Sequence, residues 1–306
     1  MKAATPNPAR RKLILRLLSR GGASVLGGLW AYSGLWEPNR PRVEAVTIPL
    51  PDLPASFDGM RIVFLSDLHL QPFFGPDRLA PVLALVQAEK PDLILLGGDY
   101  CNETLGNREY WLELCADTLR TLTAPLGVFA VFGNHDYPVP PFDPPRRPWE
   151  EAKINPLHDE AVSLSRNGER IFLVGLRSTL SRRNQVRSVM EKLPADTTRL
   201  ILQHEPSFTS QNAALGGSVQ LSGHTHGGQI VLPFFGAPRL PAHSSGFRAG
   251  LYQTERGQMP VYVTRGVGVL PPLLRFNCLP EVTLITLRHS GVQVTRPPGV
   301  REEGGK

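Results

Sequence analysis

Three observations predict a layered α/β fold. Short apolar runs alternate with stretches of helical spacing through the first half of the body, the order that builds sheets flanked by helices. Five of the apolar runs end in Asp, His or Asn, as expected where ligands meet the C-terminal ends of sheet strands. Thirty prolines and 29 glycines among 306 residues favour many turns over long helices. This length suits one large domain or two small ones.

Residues 37–60 are proline-rich and extended, and the alternation in "VEAVTI" (43–48) suits an edge strand. "RIVFLS" (61–66) is a short buried strand, and 76–90 has helical spacing with a proline near its start. "DLILLGGD" (92–99) is a second strand, 108–122 a second helix, and "GVFAVFGNHD" (127–136) a third strand with its loop. "PVPPFDPPRRP" (138–148) cannot be regular and is read as a loop. Strands follow in "RIFLVGL" (170–176), "RLILQHE" (199–205), "SVQLSGHTH" (218–226), "VYVTRG" (261–266) and "EVTLITL" (281–287), with a helix at about 184–192. The C-terminal tail, 291–306, is expected to be disordered after 296.

The charge is unevenly placed. Six of the 33 basic residues (Lys2, Arg10, Arg11, Lys12, Arg16 and Arg20) lie in the first 20 positions, which hold no acid. The rest of the chain carries 27 basic against 27 acidic residues. A broad nucleic-acid footprint is therefore not implied. The basic head precedes an uncharged stretch, Gly21–Trp36, too short and glycine-rich for a spanning helix of ~20 apolar residues. Residues 1–36 thus have the layout of an export signal or a retained membrane anchor. "RRKLI" (10–14) resembles a twin-arginine signal, although Ala9 and Leu13 depart from it, and Ala31-Tyr32-Ser33 is a weak cleavage candidate. A plain N-terminal helix packed on the domain is the alternative. Three cysteines, Cys101, Cys115 and Cys278, with no C-x-x-C spacing read as buried free thiols, with one Cys101–Cys115 bridge as the alternative.

The polar clusters carry the chemistry. In order they are Asp67-x-His69, Gly98-Asp99, Gly133-Asn134-His135-Asp136, His204 and Gly223-His224-Thr225-His226. An extended or looped backbone can aim His224 and His226 at one place, and paired imidazoles suit a transition metal. Each cluster alone is compatible with a surface turn; the ordered set is not explained that way.

In this series the chain resembles the calcineurin-like metallophosphoesterase superfamily over about residues 60–290, in a bacterial exported or membrane-proximal branch. The resemblance implies an α/β fold of four layers, an αββα sandwich of two mixed sheets flanked by helices, with the phosphoesterase domain at 61–290. It implies two divalent or transition metal ions. Asp67, His69 and His226 would hold one, Asn134, His204 and His224 the other, and Asp99 would bridge both. His135 would sit beside the substrate phosphate as the catalytic group. Members with a longer G-D-x-x-D motif use its last Asp to orient that histidine; here the position is Asn102, which can accept a hydrogen bond but brings no charge.

Two cations ~3.5–4 Å apart can acidify a shared water and clamp a phosphoryl group. Asp, Asn and His ligands suit Mn, Fe or Zn better than Ca. The expected function is hydrolysis of a phosphodiester or phosphomonoester near a membrane. The alternatives are pyrophosphatase action on a nucleotide-linked lipid such as UDP-2,3-diacylglucosamine, or a catalytically silent metal-binding membrane-surface protein. "PFFG" occurs twice, at 72–75 and 233–236. Phe74 and Phe235 are either ordinary core or part of an apolar wall for a lipid-like substrate or the bilayer. Arg265 and Arg275 flank a nearby loop and are candidate phosphate contacts.

Overall fold

The computed structural model describes residues 24–102, 104, 106–137, 143–178, 185–254, 259–290 and 301–302. The chain runs through α1 (24–31), β1 (Arg42–Leu50), β2 (Arg61–Leu65), α2 (Ala80–Glu89), β3 (Leu93–Leu96), α3 (Arg108–Leu119), β4 (Val128–Ala130), α4 (Arg147–Glu151) and β5 (Asn155–Pro156). It continues with β6 (Glu160–Arg166), β7 (Glu169–Gly175), α5 (Val186–Met190), β8 (Arg199–Leu202), α6 (Thr209–Ala214), β9 (Val219–Ser222), β10 (Gly250–Gln253), β11 (Pro260–Val263), β12 (Glu281–His289) and β13 (Arg301–Glu302).

Two mixed sheets form the centre, ordered β1-β12-β2-β3-β4-β5 and β13-β10-β11-β9-β8-β7-β6. Strands β2 to β5 are parallel, as are β7, β8, β9 and β11. The expected edge strand is β1, paired parallel with β12 along nine residues.

Strand alternation sorts each apolar run onto two faces. From β2 and β3, Ile62, Phe64, Leu93 and Leu95 join Leu173, Leu200 and Leu202 of the other sheet. Val63, Leu65, Ile94 and Leu96 point the other way, against Val86 of α2, Leu112 of α3 and Trp149 of α4. Beyond the second sheet, Val174 and Ile201 pack on Val186, Val189 and Met190 of α5. The four layers are thus helices, sheet, sheet, helices, and central strands buried on both faces read as unbroken apolar runs. Local signals fix the helix ends. Asn107 caps α3 by accepting from Tyr110 N, and α2 stops at Lys90, in the left-handed region just before Pro91.

Some expectations need correction. The proline-rich loop closes with α4, whose Pro148 lies in the first turn, where a missing N–H costs nothing; residues 138–142 lie outside the described residues. Within the tail expected to be disordered, Arg301 and Glu302 pair with Tyr252 and Gln253. The basic head and the twin-arginine-like stretch lie outside the described residues. The cleavage candidate falls in a continuing helical turn, Tyr32–Trp36, where Ser33 is buried. Among the described residues no helix is long and apolar enough to cross a membrane. All three cysteines are free and buried.

His158, just after β5, is buried with its ring edge-on to Phe132. Burial, with help from Arg177 and Arg146, pushes its pKa down to about 4. Between about 4 and the unfolded value of about 6.5, the unfolded chain binds the proton and the folded chain does not, so stability falls as pH falls through that window. At ~1.4 kcal/mol per pH unit the loss reaches about 2 kcal/mol by pH 5. Urea unfolding at pH 7 and pH 5 should show a drop larger by that amount in the wild type than in His158→Gln. Equal drops would place the acid sensitivity elsewhere.

Candidate metal centre

The C-terminal ends of β2, β3 and β4 meet those of β8 and β9, and every predicted ligand stands at this junction. Two sets of side chains converge there: Asp67, His69 and His226, and Asp99, His204 and His224, the ligand atoms of each set within 4.8 Å of one another. In the first, His69 Nε2 lies 3.0 Å from His226 Nε2, which is 3.4 Å from Asp67 Oδ1. Asp99 Oδ2 joins the sets, 3.0 Å from His204 Nε2 and 3.6 Å from His69 Nε2. His135 Nε2 is 4.0 Å from the same oxygen, and its ring meets His69 edge-on.

Backbone carbonyls set the rings. His69 Nδ1 bonds Cys101 O, His204 Nδ1 bonds Gly97 O, and His224 Nε2 bonds Ala242 O. Each such bond orients its ring so that the other nitrogen is available to a ligand. Asp67, His69, Asp99, His224 and His226 all have φ between 47° and 70°. Such angles are uncommon outside glycine and persist where the surroundings over-determine them. Two motif glycines are needed for space: a Cβ on Gly98 would lie 2.3 Å from Gly133 N, and one on Gly223 2.3 Å from Asp67 Oδ2.

Electrostatics divide the site unequally. Burial raises Asp67 to about 6 and lowers His69 to about 3, keeping that imidazole neutral. Burial opposes the charge on Asp99, but His204, His135 and His69 together hold its pKa well below the usual carboxylate range. Burial likewise opposes charge on His204, but Asp99, Asp67 and Glu205 raise its pKa well above 6.5.

The donor set fits two cations. Two imidazole nitrogens 3.0 Å apart beside a carboxylate are a poor arrangement unless something positive lies between them. Buried Asn134 Oδ1 and His226 Nδ1 have no hydrogen-bond partner. Carboxylate, amide and imidazole donors match Mn, Fe or Zn without selecting one.

Sequence reasoning placed Asp136 in a polar cluster but gave it no role. Its carboxylate accepts from Asp99 N, Tyr100 N and Gly133 N, at 2.7 to 2.8 Å, tying the β3 loop to the β4 loop. It also missed Arg239, which lines a cleft of about 460 Å³ with Asn134, His135 and His224; its surroundings, "GAPRLPAH", contain no motif. Three other expectations change, and the alternative left open for the phenylalanines is decided. Asn102 gives its amide N–H to Gln71 and accepts from Thr104, so its bonds hold the loop locally. Phe74 is buried in the helix-side core because the Gln71–Phe74 turn folds inward; exposed Phe73 faces out instead. Phe235 is exposed as proposed. Arg265 is held by Glu44 and Glu281. Arg275 is fully buried, donating to the carbonyls of Arg265, Gly266, Gly268 and Cys278.

The fold and the clustered donors define a metal-dependent phosphoesterase scaffold. The chain belongs to the calcineurin-like phosphoesterase family, whose signature matches residues 60–228. It is 32% identical to the uncharacterized metallophosphoesterase YkuE of Bacillus subtilis, over 88% of this chain and 93% of that one. It is 34% identical to the phosphodiesterase YaeI of Escherichia coli, over 74% and 82%. It is 26% identical to the UDP-2,3-diacylglucosamine pyrophosphatase LpxG of Chlamydia trachomatis, over 84% and 92%.

Because Asp99 Oδ2 touches both sets, Asp99→Asn should lose metal from both, while His204→Ala should mainly weaken one. Metal analysis of the purified variants checks this. Two bound equivalents in Asp99→Asn would exclude a bridging role.

Proposed function

We propose that this metal-dependent phosphoric ester hydrolase is a two-metal enzyme that cleaves a phosphodiester or phosphomonoester beside a membrane. The observation that carries the reading is one buried carboxylate oxygen, Asp99 Oδ2, facing imidazoles of both donor sets. Two cations held there would supply Lewis acidity and acidify a water for in-line attack. Asp67, His69 and His226 would hold one and Asn134, His204 and His224 the other, with Asp99 between.

His135 has the placement of a proton donor. It lines the cleft, and its backbone N–H to Asp99 Oδ1, 2.9 Å, fixes the loop that carries it. From there its imidazole can protonate the leaving oxygen or steady a non-bridging one. Arg239 brings a positive charge to the same cleft, suited to a second phosphate oxygen or another anionic group of the substrate.

The remaining walls are largely apolar, with Ile230, Leu240, Leu270, Pro271 and Pro272 facing the cleft, and Phe235 is exposed on the turn that follows Ile230 in the chain. This favours a phosphoester with an apolar part. A nucleotide-linked lipid such as UDP-2,3-diacylglucosamine is the second reading, supported by the same walls and by the likeness to LpxG. Two converging donor sets with Asn134 and His135 beside them weigh against a catalytically silent protein.

Hydrolysis of bis-p-nitrophenyl phosphate and p-nitrophenyl phosphate with added Mn tests the proposal, and no turnover of either by metal-loaded protein would favour the silent alternative. His135→Ala should lower kcat by about 10²- to 10⁴-fold with metal content unchanged; an unchanged kcat removes His135 from the reaction. Arg239→Ala should raise KM several-fold more than it lowers kcat. The opposite split would give Arg239 a role in the transition state alone.

A further inference from the structure

The N-terminal segment exposes apolar side chains although the chain beneath them is fixed. Leu26 is 68% exposed, Trp30 61% and Leu35 61%. Yet the segment is fastened to the body. Arg275 N donates to Ser33 O at 2.8 Å. The Glu37 carboxylate, fully buried, accepts from Asn277 N and Cys278 N. Tyr32 meets Phe276 edge-on, with ring centroids 6.2 Å apart. Leu35 thus stands on a stretch fixed to the body, and Leu26 and Trp30 lie in the helix that runs directly into that stretch.

A second apolar projection stands beside it. Val231 N donates to Phe276 O, and Leu232 and Gly236 close a tight turn. At the tip of that turn Phe234 is fully exposed, with φ 67°, and Phe235 is 87% exposed. Phe276 thus touches both the N-terminal segment and the root of the turn. The 270–272 loop, hydrogen-bonded to Gln229, forms the cleft wall between them. Both projections therefore border the mouth of the candidate metal centre.

We infer that these two projections form one docking surface for the headgroup–acyl boundary of an anionic bilayer, with the mouth of the cleft turned toward the lipid. The inference deepens the membrane-side reading proposed above. Two features select a bilayer. Trp and Phe with Leu are the side chains that settle at a lipid interface. The 20 residues that open the chain carry six positive charges and no acid, complementary to anionic headgroups, where each basic residue near the surface adds to binding. A neutral protein partner would give that charge nothing to meet.

Sedimentation of the full chain with phosphatidylcholine vesicles, with and without phosphatidylglycerol, tests the surface at physiological salt. The wild type should bind the anionic vesicles and bind phosphatidylcholine alone weakly. Leu26→Ser with Trp30→Ser, and separately Phe234→Ser, should each weaken vesicle binding by about tenfold or more. Both variants should keep the wild-type circular dichroism spectrum and Tm, which verifies folding. Wild-type binding that both variants retain would overturn the docking surface and leave the membrane-side reading standing. Failure of the wild type to bind any vesicle would overturn both. A wild-type dimer dissolved by the same substitutions would assign the surface to a second copy of the chain. Vesicle binding needs no turnover, so these outcomes are independent of whether the site hydrolyses phosphoesters.

Discussion

Asp99 is where the two halves of the molecule are coupled. Its carboxylate comes from the first sheet, and one oxygen faces His204 from the second at 3.0 Å and His69 from the first at 3.6 Å. The other accepts the His135 N–H. A buried carboxylate in such company needs compensating positive charge. Its surroundings meet that need by drawing a proton onto His204, the place where a cation would act more strongly. The left-handed backbone at five donor positions follows from the same demand. Ordinary strand geometry would turn alternate side chains away from a common point, whereas the left-handed turns bring them back to it.

Such a site needs a rigid support, and much of it comes from backbone groups. Asp136 gathers three N–H groups from the β3 and β4 loops. On the other side Arg275 is satisfied by four carbonyls of the loop that supports Asp67; Gly268 N in that loop donates to Asp67 O. Cys278 closes the chain of contacts by donating to His226 O. Since Glu37 grips Cys278 from the N-terminal segment, the segment that reads as a signal is mechanically continuous with the first donor set. The unit that folds around the site therefore begins before residue 61.

That continuity also bears on the placing of substrate. The cleft opens between the loops that carry Arg239 and Leu270, and the same loops stand next to the exposed aromatic turn. A charged centre below and an apolar rim above suit a molecule with both characters. The rim is supplied by loops that follow the ligands along the chain and contain none of the proposed donors.

The sequence by itself showed most of the central strands, the two helices of the first half and the polar clusters from which the seven proposed donors come. These rest on local signals: unbroken apolar runs, turn glycines and polar clusters at fixed places along the chain. It could not determine where the second phenylalanine of each "PFFG" would point. Phe74 is turned inward by the Gln71–Phe74 bridge and Phe235 outward at the Leu232–Gly236 turn, although the four residues are the same. Nor could it tell that Arg265 and Arg275 are structural, since Glu44 and the accepting carbonyls reach them only through pairing of β1 with β12 and closure of the 265–278 loop. Arg239 joins His135 at the cleft from 104 positions away. Those outcomes depend on long-range packing between elements, which is decided by which surfaces the tertiary structure brings together and not by any short stretch of chain.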